Sequence, residues 1–157
     1  MNEEHLMQAI TIKPVRKHLK VSLSVERAFE LFTAGIAKWW PLATHSVGKD
    51  QSESCFVEGQ VGGRIVEVLK DGSQSEWGRV LVWEPNQRVV FQWYPGRAPD
   101  TAQEVTITFT EIPGGSLVEL VHVGWETLGE QALETRDGYD SGWDYVLAKY
   151  IVQAAGG

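Results

Sequence analysis

Toward its end the chain places Tyr139, Trp143, Val146, Leu147, Tyr150 and Ile151 at i, i+4, i+7, i+8, i+11 and i+12. That spacing is one face of a 3.6-residue period, so the run after Gly138 predicts a long amphipathic helix with Asp144 and Lys149 turned to water. Such a helix must bury its apolar face. From Cys55 to Val123 the hydrophobic period is two instead, most cleanly at Val105, Ile107 and Phe109, which alternate with Thr106, Thr108 and Thr110. The surface offered to the helix is therefore a sheet. Where one helix is gripped by a bent sheet, the space between them becomes a pocket.

The remaining elements follow from local chemistry. Val15 to Ser24 alternates as a half-buried strand, with Lys13, Arg16, Lys17, His18 and Lys20 as a solvated edge. Ser24 is placed to cap a helix whose buried stripe is Ala28, Phe29, Leu31 and Phe32, and Gly35 is expected to end it in the left-handed conformation. Ile36 to Trp40 makes one more turn, which Pro41 stops. Thr44 to Ser54 reads as a polar, flexible loop. A short strand from Cys55, turned at Gly59, Gly62 and Gly63, is followed by strands over 64–70, 77–83, 88–94, 105–109 and 117–123, with Asp71-Gly72-Ser73 a hairpin and 124–137 an irregular linker. The order is strand, two short N-terminal helices, six strands, long C-terminal helix. The fold class is α+β: a curved antiparallel sheet of about six or seven strands around the final helix, one domain over 1–157 with its core at about 15–153.

Composition narrows the function. The 157 residues carry a net charge of −7, which repels nucleic acid and anionic membranes. No apolar stretch nears the roughly 18 residues of a membrane helix. The acidic, polar start is no signal peptide, and the lone Cys55 fits a reducing, cytoplasmic setting. Cys55 reads as a strand residue near the surface, not as a nucleophile.

Several segments together resemble one known family. They are Val25-Glu-Arg-Ala-Phe-Glu-Leu-Phe-Thr, Lys38-Trp-Trp-Pro, Val61-Gly-Gly-Arg-Ile-Val-Glu, Glu76-Trp-Gly-Arg-Val-Leu-Val-Trp-Glu-Pro, Arg88-Val-Val-Phe-Gln-Trp, Val105-Thr-Ile-Thr-Phe and Gly142-Trp. In their order and spacing they resemble the START-related SRPBCC superfamily of helix-grip proteins, and within it the homologues of the activator of the heat-shock-protein-90 ATPase. The resemblance spans about residues 15 to 153. It implies a deep, largely apolar ligand cavity. Its members include lipid and hormone carriers, polyketide cyclases and aromatases, so the fold names no single job.

Nine residues are the candidates for that cavity. Trp39 and Trp40 point about 100° apart on a turn, so one plugs the core while Trp40 lines the cavity mouth. His45 lies in the loop that follows. Ile65 and Glu67 share a strand face, so an inward Ile65 brings a carboxylate inward, with Arg64 and Arg79 as its expected partners. Trp77, Phe91 and Trp93 supply aromatic walls, His122 follows Val118 and Leu120 on one strand face, and Trp143 comes from the gripping helix. No nucleophile set, phosphate loop, paired metal ligands or cofactor motif occurs, so neither cofactor nor metal is expected. The leading expectation is a binding protein for a small apolar or aromatic molecule. The alternatives are an enzyme of cyclase, dehydratase or hydrolase type using Glu67 with His45 or His122, and a chaperone-interacting stress-response module. Homodimer formation through an edge strand or the helix is compatible with each.

Overall fold

The structure, a computed structural model, describes residues 12–156. Residues 1–12, which as sequence read as a loose lead-in to the first strand, lie, except for Ile12, outside the described residues. Seven strands form one antiparallel sheet: β1 (Val15–Val21), β2 (Ser52–Val57), β3 (Arg64–Leu69), β4 (Gln74–Glu84), β5 (Arg88–Trp93), β6 (Gln103–Ile112) and β7 (Gly115–Val123). Their spatial order is β1-β7-β6-β5-β4-β3-β2, so β1 closes the meander beside β7 and leaves β1 and β2 as the two edges.

The sheet curls into a half-barrel. Register shifts at Ser52/Ser54, Ile65/Val66 and Val80/Val82 all fall in the β2–β5 half, and such bulges bend and twist a strand more sharply than regular pairing does. Gly78 sits between two of these shifts. A Cβ there would meet the Gln92 carbonyl oxygen, so only glycine permits this approach of β4 to β5.

Helix α1 (Val25–Phe32) begins where the Ser24 hydroxyl accepts from the Arg27 amide at 3.3 Å, and buries Ala28, Phe29 and Phe32. Its end differs from expectation. Gly35 has φ −92°, not a left-handed value, and its lack of a side chain serves close packing instead: a Cβ would lie 3.1 Å from the Leu31 Cα. The second short helix is a single 3-10 turn at Ile36–Lys38.

Helix α2 runs over Ala132–Gly156, 25 residues, and starts six residues before the point that hydrophobic spacing indicated. It follows a 3-10 run over Trp125–Gln131 that breaks at Gly129, φ 59°. Its packed face is Trp143, Val146, Leu147, Tyr150 and Ala154. Ile151 is not on that face and is 41% exposed, because Ala154 continues the stripe one turn beyond Tyr150. Each large apolar side chain buried here stabilises the fold by about 1.5–3 kcal/mol. The Tyr150 hydroxyl adds a tie between the helices, donating to the Ala28 carbonyl at 2.8 Å.

Candidate functional site

The site begins with the two adjacent tryptophans. Trp39 turns into the core, where its ring meets Phe32 and Tyr150 and its indole donates to the Leu31 carbonyl at 2.8 Å. Trp40 turns the other way. Its indole donates to the His45 carbonyl at 2.7 Å, and its ring lies 5.1, 5.9 and 5.8 Å from those of Trp77, Trp93 and Trp143. Four tryptophans from four elements thus meet around one space.

That space is a cavity of about 560 Å³. The sheet contributes Trp77 and Trp93, with Pro95 and Gly96 just beyond β5; the loop after the tryptophan pair contributes Thr44 to Val47 and Lys49. Helix α2 contributes Thr135, Gly138, Tyr139, Gly142, Trp143 and Val146. These helix positions fall at i, i+3, i+4, i+7, i+8 and i+11, one face, and three of them are Thr or Gly. Small residues where the helix crosses the cavity are what leave the space open. Gly138 has nothing within 4 Å of a built Cβ, and at Gly142 the nearest atoms, in the His45 ring, are 3.9 Å away.

Glu67 is fully buried, and neither Arg64 nor Arg79 is its partner. Arg64 pairs with Glu58 at 2.9 Å and Arg79 with Glu76 at 3.0 Å, both at the surface. Glu67 accepts instead from the Val47 amide (2.9 Å), the Gly48 amide (2.8 Å) and the Trp77 indole (2.8 Å). Burial pushes its carboxyl up, but these donors outweigh burial and hold it below the ordinary value. The carboxylate therefore lies behind the wall. It straps the loop at 47–48 and the Trp77 ring in place, with three hydrogen bonds already made to it.

The other candidates separate in the same way. His45 is on the wall, stacked on Tyr145 at 4.7 Å and 11°, with Nδ1 sharing a 2.8 Å hydrogen bond with the Thr44 hydroxyl. Burial, with the nearby Lys49 charge, lowers its pKa. His122 does not reach the wall. Its Nδ1 accepts from the Trp143 indole (3.0 Å), Nε2 faces the Gln103 Oε1 (3.2 Å) and its ring lies 4.0 Å from Trp125. Because Nδ1 accepts, the proton sits on Nε2; burial pushes the imidazole down to about 3, so it stays neutral. Ile65 and Phe91 are buried core residues absent from the wall, the Phe91 ring stacking at 6.5 Å on Trp93, which does line it. Cys55 is 2% exposed, contrary to its surface reading; burial pushes its thiol up to about 12, which leaves it inert.

Spacing alone did not mark Tyr139, Thr135, Gly138, Gly142, Val47 or Lys49 as wall residues. The one pattern that hints at them is the pair of glycines inside a helical run. Among the described residues no three His, Cys, Asp or Glu side chains assemble to hold a metal ion, and no helix is long and apolar enough to cross a membrane.

Comparison with known proteins agrees with this architecture. No curated protein matches the chain significantly. Among solved structures, an anthrahydroquino-γ-pyrone synthase, Txn09, is 33% identical, with 83% of this chain and 88% of that one aligned at a TM-score of 0.56. The AHSA1-like protein of Aeromonas hydrophila is 22% identical over 92% of this chain and 94% of its own, TM-score 0.63. The Aha1 dimer of Colwellia psychrerythraea is 17% identical over 89% and 94%, TM-score 0.62. At those two identities the likeness is one of fold. The family described as "Activator of Hsp90 ATPase homolog 1-like protein" matches residues 22–155, and the chain belongs to that family.

Proposed function

We propose that the protein binds a planar, mainly aromatic small molecule in the tryptophan-walled cavity and performs no covalent chemistry on it. The observation that carries this reading is the convergence of Trp40, Trp77, Trp93 and Trp143 on a space of about 560 Å³. Ligand sites of drug-sized molecules fall at about 300–1,000 Å³ and are lined mostly by apolar and aromatic side chains. Flat rings stack or pack edge-on against indoles, each such pair adding about 0.5–1.5 kcal/mol beyond area burial. The likeness to Txn09 supports a guest of the fused-ring kind that its name describes.

The acid–base pair expected from Glu67 with His45 or His122 is not assembled at the cavity. Glu67 is occupied behind the wall, His122 lies behind Trp143, and His45 alone of the three faces the space. The Txn09 likeness favours a second reading, a cyclase-type enzyme in which neutral His45 takes a proton from the guest. That reading requires turnover that His45→Ala abolishes while binding persists. Interaction with a chaperone rests on the family description alone and forms no part of the proposal.

The test is displacement of 1-anilinonaphthalene-8-sulfonate by a panel of two- to four-ring aromatics, with native mass spectrometry of the purified protein. Saturable one-site displacement, or a co-purified aromatic mass, is expected. A panel with no saturable binder overturns the proposal.

A further inference from the structure

Acidic residues outnumber lysine and arginine by 21 to 14 in this chain, yet none of them lines the cavity. The one formally charged side chain on the wall is Lys49, exposed where the cavity meets water. In so acidic a protein a cation readily finds a carboxylate, and Lys17, Arg64, Arg79, Arg88 and Arg136 each do. Lys49 does not. Among the described residues it forms no ion pair, and its ammonium makes a single hydrogen bond, to the Thr44 carbonyl at 3.1 Å. An ammonium has three donors, so two remain for another acceptor. Glu67, behind the wall, accepts from the amides of Val47 and Gly48, and Asp50, next along the chain, does not pair with Lys49 either.

The backbone singles out the same residue. Lys49 has φ 51°, a left-handed value that among the described residues only Asn86 shares outside glycine. A lysine must be held in that region against its preference. The loop does the holding: the Lys49 amide donates to the Ser46 hydroxyl (2.8 Å), which donates in turn to the Leu42 carbonyl (2.6 Å), and the Gly48 amide is fixed on Glu67 (2.8 Å). Strained residues of this kind gather at ligand clamps, where the surrounding structure fixes how a side chain leaves the backbone.

Building on the binding function proposed above, we infer that the guest is an aromatic acid, its rings packed among the tryptophans and its anionic oxygens at the cavity mouth against the Lys49 ammonium. A pair formed there keeps part of its water, so it adds affinity without the desolvation that a buried pair incurs. An aromatic amine carrying a positive charge is repelled from the same place.

The test titrates the full-length protein with 2-naphthoate and 2-naphthamide, alike in shape and different in charge, by isothermal titration calorimetry at neutral pH and low salt. A charge-assisted contact at an exposed position predicts that the parent favours the acid by roughly 3- to 10-fold. Lys49→Met keeps an apolar stem and removes the charge; it should bring the two probes within about two-fold of each other and leave naphthamide near its parent affinity. Lys49→Arg should keep the preference. Sodium chloride at about 0.5 M should shrink it in the parent, because salt screens exposed charges. That arm needs no variant, and thermal unfolding checks that each variant folds. Equal binding of the two probes to the parent overturns this inference and leaves the binding function standing. A preference that survives Lys49→Met, or that salt does not touch, also overturns it. If neither probe binds, the inference falls, and the binding function falls with it where the dye panel also finds no saturable binder.

Discussion

Two buried ionisable groups decide how this protein responds to acid, and both act against it as the pH falls. His122 is held neutral, its pKa pushed down to about 3, against about 6.5 in an unfolded chain. Between those values the unfolded state binds the extra proton, so stability rises with pH and is lost as pH drops from about 6.5, by at most about 1.4 kcal/mol per pH unit. Glu67 is held below its ordinary value, so its contribution is complete above the unfolded pKa of about 4.3 and disappears as pH falls through the folded value. Urea unfolding at pH 7.5, 6 and 5 should show a declining midpoint for the parent and a flatter profile for His122→Gln. An unchanged slope in that variant contradicts the neutral, buried assignment. Glu67→Gln keeps one carbonyl oxygen and sets its NH₂ against either the Gly48 amide or the Val47 amide and Trp77 indole, and should cost about 2–4 kcal/mol of unfolding free energy at pH 7. Sequence could place Glu67 on the Ile65 face, but not its partners. They are backbone amides some twenty positions earlier, in a loop with no periodic pattern, and neighbouring arginines made the more obvious match.

Helix α2 is two helices in function. Its second half packs on the sheet and on α1, and there the apolar spacing at Trp143, Val146, Leu147 and Tyr150 is readable from sequence. Its first half crosses the cavity and faces water, so it carries no apolar stripe, and periodicity placed the start too late. The same physics explains the β2 boundary, where strand pairing starts at Ser52 inside a run of polar residues that reads as loop. The sheet was legible throughout because alternating burial writes itself into alternating residues. The wall was legible only where tryptophan marked it. Gly138 and Gly142 are costly to a helix, by about 1 kcal/mol each relative to alanine. Gly138→Ala, with open space around the new methyl, should therefore raise stability by about 0.5–1 kcal/mol and move the Tm up by about 1–4 °C in thermal unfolding. A loss of stability would mean that the helix is strained at this position.

For the molecule as a whole, the seven-stranded half-barrel and its gripping helix leave a hollow of about 560 Å³ that packing alone does not require. An aromatic guest at 100 times its Kd should stabilise the folded state by about 2.7 kcal/mol, visible as a Tm raised by several degrees. Filling the hollow from within separates a binding site from a structural gap. Gly142→Leu places an isobutyl group toward His45, where the helix now carries only hydrogen. The decisive measurement is a parallel titration of the parent and Gly142→Leu with 1-anilinonaphthalene-8-sulfonate, thermal unfolding of both serving as the folding control. Loss of saturable binding by at least tenfold, with the Tm kept or raised, is the predicted result; equal binding by the two proteins would contradict it.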